Sequence, residues 1–202
     1  MGFDVEAEEL QTTPGAAVRE LAGKRVLALV MPAIVSDLDG LELVGDHADA
    51  VLLGGCDETT EPNQVFSWMN LGRAFAELQM GADLYCLHKN KWWQTSRGPL
   101  LDAGAFVAGL EYSTGVDAIV LGKPSASYFA AALDALGAEP ELTWMVTDDL
   151  EADVRGAQAF GMRTALVRTG KFRPETLEGS GVVPEIVLSS VAQLPDWLEG
   201  AP

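Results

Sequence analysis

A chain of 202 residues that is 48% hydrophobic is long enough to bury a sizeable core, and its length fits one α/β domain or a small domain plus an insert. Its 30 acids against 13 bases leave a formal charge of −17, which repels both nucleic-acid phosphates and anionic membrane surfaces. No apolar run approaches the ~20 residues of a membrane span, and "MGFDVEAEEL" carries acids where a secretory leader needs bases, so the expected location is the cytoplasm.

Short apolar runs bounded by Gly, Pro and Asp alternate with stretches of helical period, the pattern of parallel βαβ units. A first series predicts strands at "RVLALVM" (25–31), "AVLLGG" (50–55) and "LYCLH" (84–88). Between the last two lies a helix with Val65, Trp68, Leu71, Phe75 and Leu78 on one face. "KNKWWQTSRGPL" then breaks both periods and reads as a linker or site loop, which puts a domain boundary near Ser96. A second series follows: a helix from Asp102, the strand "AIVLG" (118–122), a helix from Ser125, the strand "TWMVT" (143–147), a helix from Glu151, the strands "RTALVR" (163–168) and "EIVLS" (185–189), and a last helix. Cys56 and Cys86 lack any Cys or His at zinc-site spacing and are expected to be reduced, buried and inert.

Two strand ends carry the residues suited to chemistry. "AIVLGKPS" ends in Gly122-Lys123-Pro124, with Ser125 as cap of the next helix, so the Lys123 ammonium is expected at the carboxyl edge of a parallel sheet, where open α/β sheets bind ligands. "TDDLEAD" puts Asp148 and Asp149 at the end of a strand read as its neighbour, with Asp153 one helical turn on. Carboxylates beside one lysine suit Mg²⁺ and a phosphate, because Mg²⁺ takes one or two carboxylates and completes its shell with water and phosphate oxygen. Each motif alone also fits a turn lysine or a helix-start acid. Lys89, Asn90, Lys91, Trp92 and Trp93 form a basic aromatic cluster that fits either leaving-group recognition or ordinary packing. His88 reads as a strand-end histidine, His47 as solvated, and Arg168, Lys171 and Arg173 as a phosphate-site rim or a loop cap.

"LDAGAFVAGLEYSTG", "GKPSASYFAAALDALG" and "MVTDDLEADVRGAQAFGMRTALVRTGKFRP" resemble the haloacid dehalogenase (HAD) superfamily, subclass IIA, over nearly the whole chain. The resemblance implies an α/β fold with a HAD-like (Rossmann-like) core and an inserted α/β cap domain. It assigns residues 1–12 to a remnant of the core-to-cap connection, 13–96 to the cap and 97–202 to the C-terminal part of the core. It also implies Mg²⁺-dependent hydrolysis of a small phosphorylated substrate through an aspartyl-phosphate, with Lys123 holding the phosphoryl group, Asp148 ligating Mg²⁺ and Asp153 supporting the metal site. One departure stands out: the family writes glycine at the position of Thr147, and the branched side chain there is expected to weaken metal binding.

The family's nucleophile is an aspartate ending the first core strand, and Asp37 in "VSDLDGL" copies part of its spelling. Pro32 falls inside the strand this would require, and too few residues separate Asp37 from Lys123 for the intervening core strands and a cap. The resemblance instead aligns the first residues with the segment entering the cap, so Asp37 is expected to be a look-alike and the core incomplete at the N-terminus, without its nucleophile. A core lacking that strand is expected to expose a sheet edge beside the lysine strand and to self-associate through it. The rival readings are a non-catalytic HAD-like protein that binds phosphate or a partner, and a shortened phosphatase that does use Asp37.

Overall fold

The computed structural model describes residue 6 and residues 9–55 and 65–200. Helix α1 (Thr13–Glu20) leads into strand β1 (Arg25–Val30), a short helix α2 (Pro32–Val35), a 3₁₀ turn (Ser36–Leu38), β2 (Glu42–Leu43) and β3 (Ala50–Gly54). Helix α3 (Trp68–Gln79), β4 (Asp83–Cys86), the strands β5 (Trp92–Thr95) and β6 (Gly98–Leu101), α4 (Gly104–Thr114) and β7 (Ile119–Val120) follow. Then come α5 (Ala126–Leu136), β8 (Trp144–Thr147), a π-helical turn (Leu150–Val154) running into α6 (Arg155–Ala159), β9 (Arg163–Val167), α7 (Pro174–Ser180), β10 (Ile186–Leu188) and α8 (Leu194–Gly200).

These elements form two compact units, Met1–Gly122 and Lys123–Pro202. In the first, five parallel strands run in the order β2-β1-β3-β4-β7, with Val26 to Val30 registered against Ala50 to Gly54. Alternation along the strands sorts two apolar faces. Leu27, Leu29, Val51, Leu53, Leu84 and Cys86 pack under Ala74 and Leu78 of α3 and Val107 and Leu110 of α4. Val26, Val30, Ala50, Leu52, Tyr85 and Leu87 pack against Ala17 of α1, Leu21 and Leu38. The second unit is a parallel sheet β10-β9-β8, covered on one side by Phe129, Leu133, Ala157 and Met162 and on the other by Leu150, Val154 and Val182. Among the described residues, no helix is long and apolar enough to cross a membrane.

The two units divide at Gly122, with α4 burying Val107 and Leu110 in the first unit's core. Two expectations are corrected. Strand β7 pairs with β4, Tyr85 opposite Ile119 and Cys86 opposite Val120, so the strand before Lys123 belongs to the first sheet and is not the neighbour of β8. The supposed linker is an antiparallel hairpin, β5 against β6, turning at Ser96 and Arg97. Of the face read around α3, Val65, Leu71 and Leu78 pack in the first unit's core, with Ala74 and Glu77 also buried, while Phe75 and Trp68 are exposed, Trp68 to 90% as the first helical residue after the Ser67 cap.

Candidate functional site

The described groups that meet around Lys123 all lie in the second unit. Strand β8 ends at Thr147, and Asp149 caps the turn that follows, its Oδ1 accepting the backbone N–H groups of Glu151 (3.1 Å) and Ala152 (3.0 Å). Such a cap satisfies helix-start donors that have no partner within the helix. The first turn is wide, with the Val154 N–H reaching the Asp149 carbonyl at 3.1 Å, a π-type geometry often found at functional sites. On this turn Asp153 faces inward and is only 5% exposed. Its Oδ2 accepts from the Thr147 hydroxyl at 2.6 Å and from the Lys123 ammonium at 3.0 Å.

Lys123 reaches that oxygen because the chain around it is closely packed. Ser125 caps α5 by accepting the Tyr128 N–H, and the Lys123-Pro124 segment lies against α6 at Gly156, where a Cβ would come within 2.8 Å of Pro124 and 2.9 Å of Phe129. Any larger residue at 156 would push this segment away from Asp153. Asp148 is held from the opposite side: its Oδ2 accepts the Lys171 backbone N–H at 2.7 Å. Gly170 has a φ of +64°, and a Cβ there would collide with the Asp148 carboxylate, so glycine is needed for both conformation and space.

Lys171 also extends its ammonium to Asp149 Oδ2 at 2.7 Å. Burial by itself raises the Asp149 pKa, but the Lys171 ammonium and the N–H donors of Ala152 and Glu151 outweigh it and hold the carboxyl below its usual range. Thus the sequence-predicted Lys123 and Asp153 meet directly, and Asp148 is anchored to the loop after β9. Thr147, Lys171 and Gly156 enter the site with roles the sequence did not disclose. For Lys171 the only signal was its place after a strand. For Thr147 the departure from glycine drew notice, but it pointed to damage and not to a bonding role.

The acids here are hard oxygen donors of the kind Mg²⁺ prefers. Among the described residues, no group of three His, Cys, Asp or Glu side chains is placed to hold a metal ion. The set therefore fits a metal that keeps water and phosphate in its shell and does not fit one caged wholly by protein, such as structural zinc.

The remaining candidates lie elsewhere. Asp37 is exposed on the 3₁₀ turn Ser36–Leu38 of the first unit, after β1 has ended at Val30 and Pro32 has opened a short helix. It does not end a strand. His88 Nε2 lies 2.9 Å from Oδ1 of the buried Asp102, which also accepts the Ala103 N–H. Lys89 pairs with Glu111 at 2.6 Å, and Trp92 and Trp93 are half-buried on β5. His47 is exposed. Arg168 lies over the Phe172 ring and Arg173 donates to the Phe172 carbonyl, so both shape the loop after β9. Cys86 is buried, with burial pushing its thiol pKa to about 12, and Cys56 lies outside the described residues.

A family described as HAD-hydrolase-like matches residues 120–194, the stretch that contains this cluster. The phospholysine phosphohistidine inorganic pyrophosphate phosphatase of Mus musculus is 33% identical over 203 residues, an alignment spanning 98% of this chain and 72% of that protein. A 4-nitrophenylphosphatase from Thermotoga maritima superposes with a TM-score of 0.82 at 27% identity, covering 97% of this chain and 75% of the other. The glycerol phosphate phosphatase of Mycobacterium tuberculosis, solved in complex with magnesium, superposes with a TM-score of 0.76 at 27% identity over 92% of this chain and 57% of the other.

Proposed function

Because the chain belongs to the HAD-like hydrolase family, we propose that Lys123, Asp148 and Asp153 form the phosphate- and Mg²⁺-holding part of a phosphatase site for a small phosphorylated substrate. The carrying observation is the meeting of the Lys123 ammonium and the Thr147 hydroxyl on one oxygen of a buried Asp153, beside the anchored Asp148. In this reading Lys123–Pro202 is part of the catalytic core and Met1–Gly122 is the cap.

Charge explains why a metal belongs in the scheme. Three carboxylates, Asp148, Asp149 and Asp153, face two ammonium groups, Lys123 and Lys171, leaving one net negative charge. A phosphate dianion is repelled by that sum, and one divalent cation reverses its sign. Asp148 and Asp153 would hold Mg²⁺, which when bound supplies Lewis-acid polarisation of a phosphoryl oxygen. Lys123 then neutralises a second phosphoryl oxygen, as a point charge suited to phosphate.

The attacking carboxylate is not Asp37, whose exposed position on a short turn of the first unit lacks the strand-end support a nucleophile needs. The groups assembled around Lys123 therefore bind and orient, and attack requires a carboxylate from outside this set. The test is phosphate binding by calorimetry with and without Mg²⁺, beside hydrolysis of an aryl phosphate. Phosphate binding that depends on Mg²⁺ and is lost in Lys123→Met is expected, with Asp37→Asn leaving any hydrolysis unchanged. Metal-independent binding, or hydrolysis abolished by Asp37→Asn, overturns the reading.

A further inference from the structure

We infer that Thr147 is a positioning residue for the metal site, an inference that rests on Asp148 and Asp153 being the Mg²⁺ ligands. The side chain closes β8 and is buried. Its hydroxyl accepts the Asp149 backbone N–H at 3.0 Å and lies 2.6 Å from Asp153 Oδ2. A hydroxyl has one proton. With the Asp149 amide occupying a lone pair, that proton goes to the carboxylate, and the direction of the bond is fixed.

The consequence is a choice between the two oxygens of Asp153. The Lys123 ammonium sits on a flexible four-carbon stem and has no geometric preference of its own between them. The Thr147 hydroxyl sits on a β-branched side chain with restricted rotation, at the end of a strand paired Thr147 to Leu166. It pins Oδ2 and Lys123 shares that oxygen, which leaves Oδ1 as the oxygen that would serve a cation. The same hydroxyl grips the amide of Asp149, the peptide unit that follows Asp148 directly. One side chain therefore fixes two ligands relative to each other. The extra methyl and hydroxyl that look like an obstacle in sequence are, in this chain, what orients the site.

Donors that orient metal ligands are typically worth 10–100-fold in metal affinity. The test uses Thr147→Val, which keeps the shape and removes the hydroxyl, Thr147→Ala as a second hydroxyl-free variant, and Thr147→Ser, which keeps the hydroxyl. Calorimetric titration with Mg²⁺ alone is the readout, with circular dichroism selecting folded variants. Hydroxyl-free variants are expected to bind Mg²⁺ about 10–100-fold more weakly, and Thr147→Ser to restore affinity close to that of the unaltered chain. Equal affinity in a folded hydroxyl-free variant, or a serine variant as weak as valine, overturns the inference alone. An unaltered chain that binds no Mg²⁺ overturns it together with the reading of the site.

Discussion

Lys171 serves two acids with two different groups, its backbone N–H on Asp148 and its ammonium on Asp149. Because the Lys171 and Asp149 side chains are only 18% and 14% exposed, this pair is poorly screened, unlike a surface ion pair. Lys171→Met leaves a largely buried carboxylate with its backbone donors only, and a lost hydrogen bond to a charged group costs about 2 kcal/mol. A urea midpoint lowered with unchanged slope is the expected result. The Asp149 carboxyl titrates below its usual value of 3.8, so the stability it contributes is complete above that value and is lost as pH falls through the lowered one. The variant and the parent should therefore converge in acid. A different single-residue consequence concerns Cys86, whose thiol pKa is pushed to about 12 by burial. Thiolate is the reactive form, so in a Cys56→Ser background a thiol reagent at pH 8 should label the chain only after denaturant is added. Prompt labelling of the folded protein would contradict the burial of Cys86.

At the scale of elements, the strands that carry long apolar runs were readable because burial on both faces makes them nearly continuous in sequence, as in Ala50–Gly54. Short strands were not. The hairpin Trp92–Thr95 with Gly98–Leu101 hides behind charged and glycine-proline neighbours, and β7 is only two residues long, so local pattern could not say which sheet it joins. The buried side of α3 is wider than its apolar period shows, because Glu77 is buried as well: its carboxylate accepts the N–H groups of His47 and Ala48, a tertiary need invisible in periodicity. The entry to the first sheet offers a test of its own. Arg25 donates to Asp49 through both its side chain and its backbone N–H, holding the Asp49 pKa at about 2, against an ordinary 3.8. A depressed carboxyl contributes stability above the ordinary value that is lost as pH falls to the folded one. Asp49→Asn should therefore flatten the fall in thermal midpoint between pH 4 and pH 2. An unchanged profile would show that this exposed pair adds nothing.

At the scale of the whole molecule, the meeting of Lys123 with Asp153 was legible in sequence because each sits beside a motif with a mechanical reason, a glycine-proline turn and a strand-to-helix corner. The sheet that β7 joins was not, since it depends on a partner far away in sequence. Among the described residues β7 has a single neighbour, β4, and β8 likewise pairs only with β9, so both are sheet edges. An edge strand presents a row of unpaired backbone groups, and Trp144, Met145 and Val146 give β8 the aromatic and branched character that favours pairing. Two copies meeting at β8 would pair these groups, but each brings a formal charge of −17, and that repulsion is screened over ~10 Å at 0.1 M salt. Association should therefore be weak in dilute buffer and strengthen as salt is added, the reverse of an ion-pair interface. Light scattering after size exclusion across a salt series measures this directly. A monomer at every salt and protein concentration would mean that the β8 edge does not act as a self-association surface.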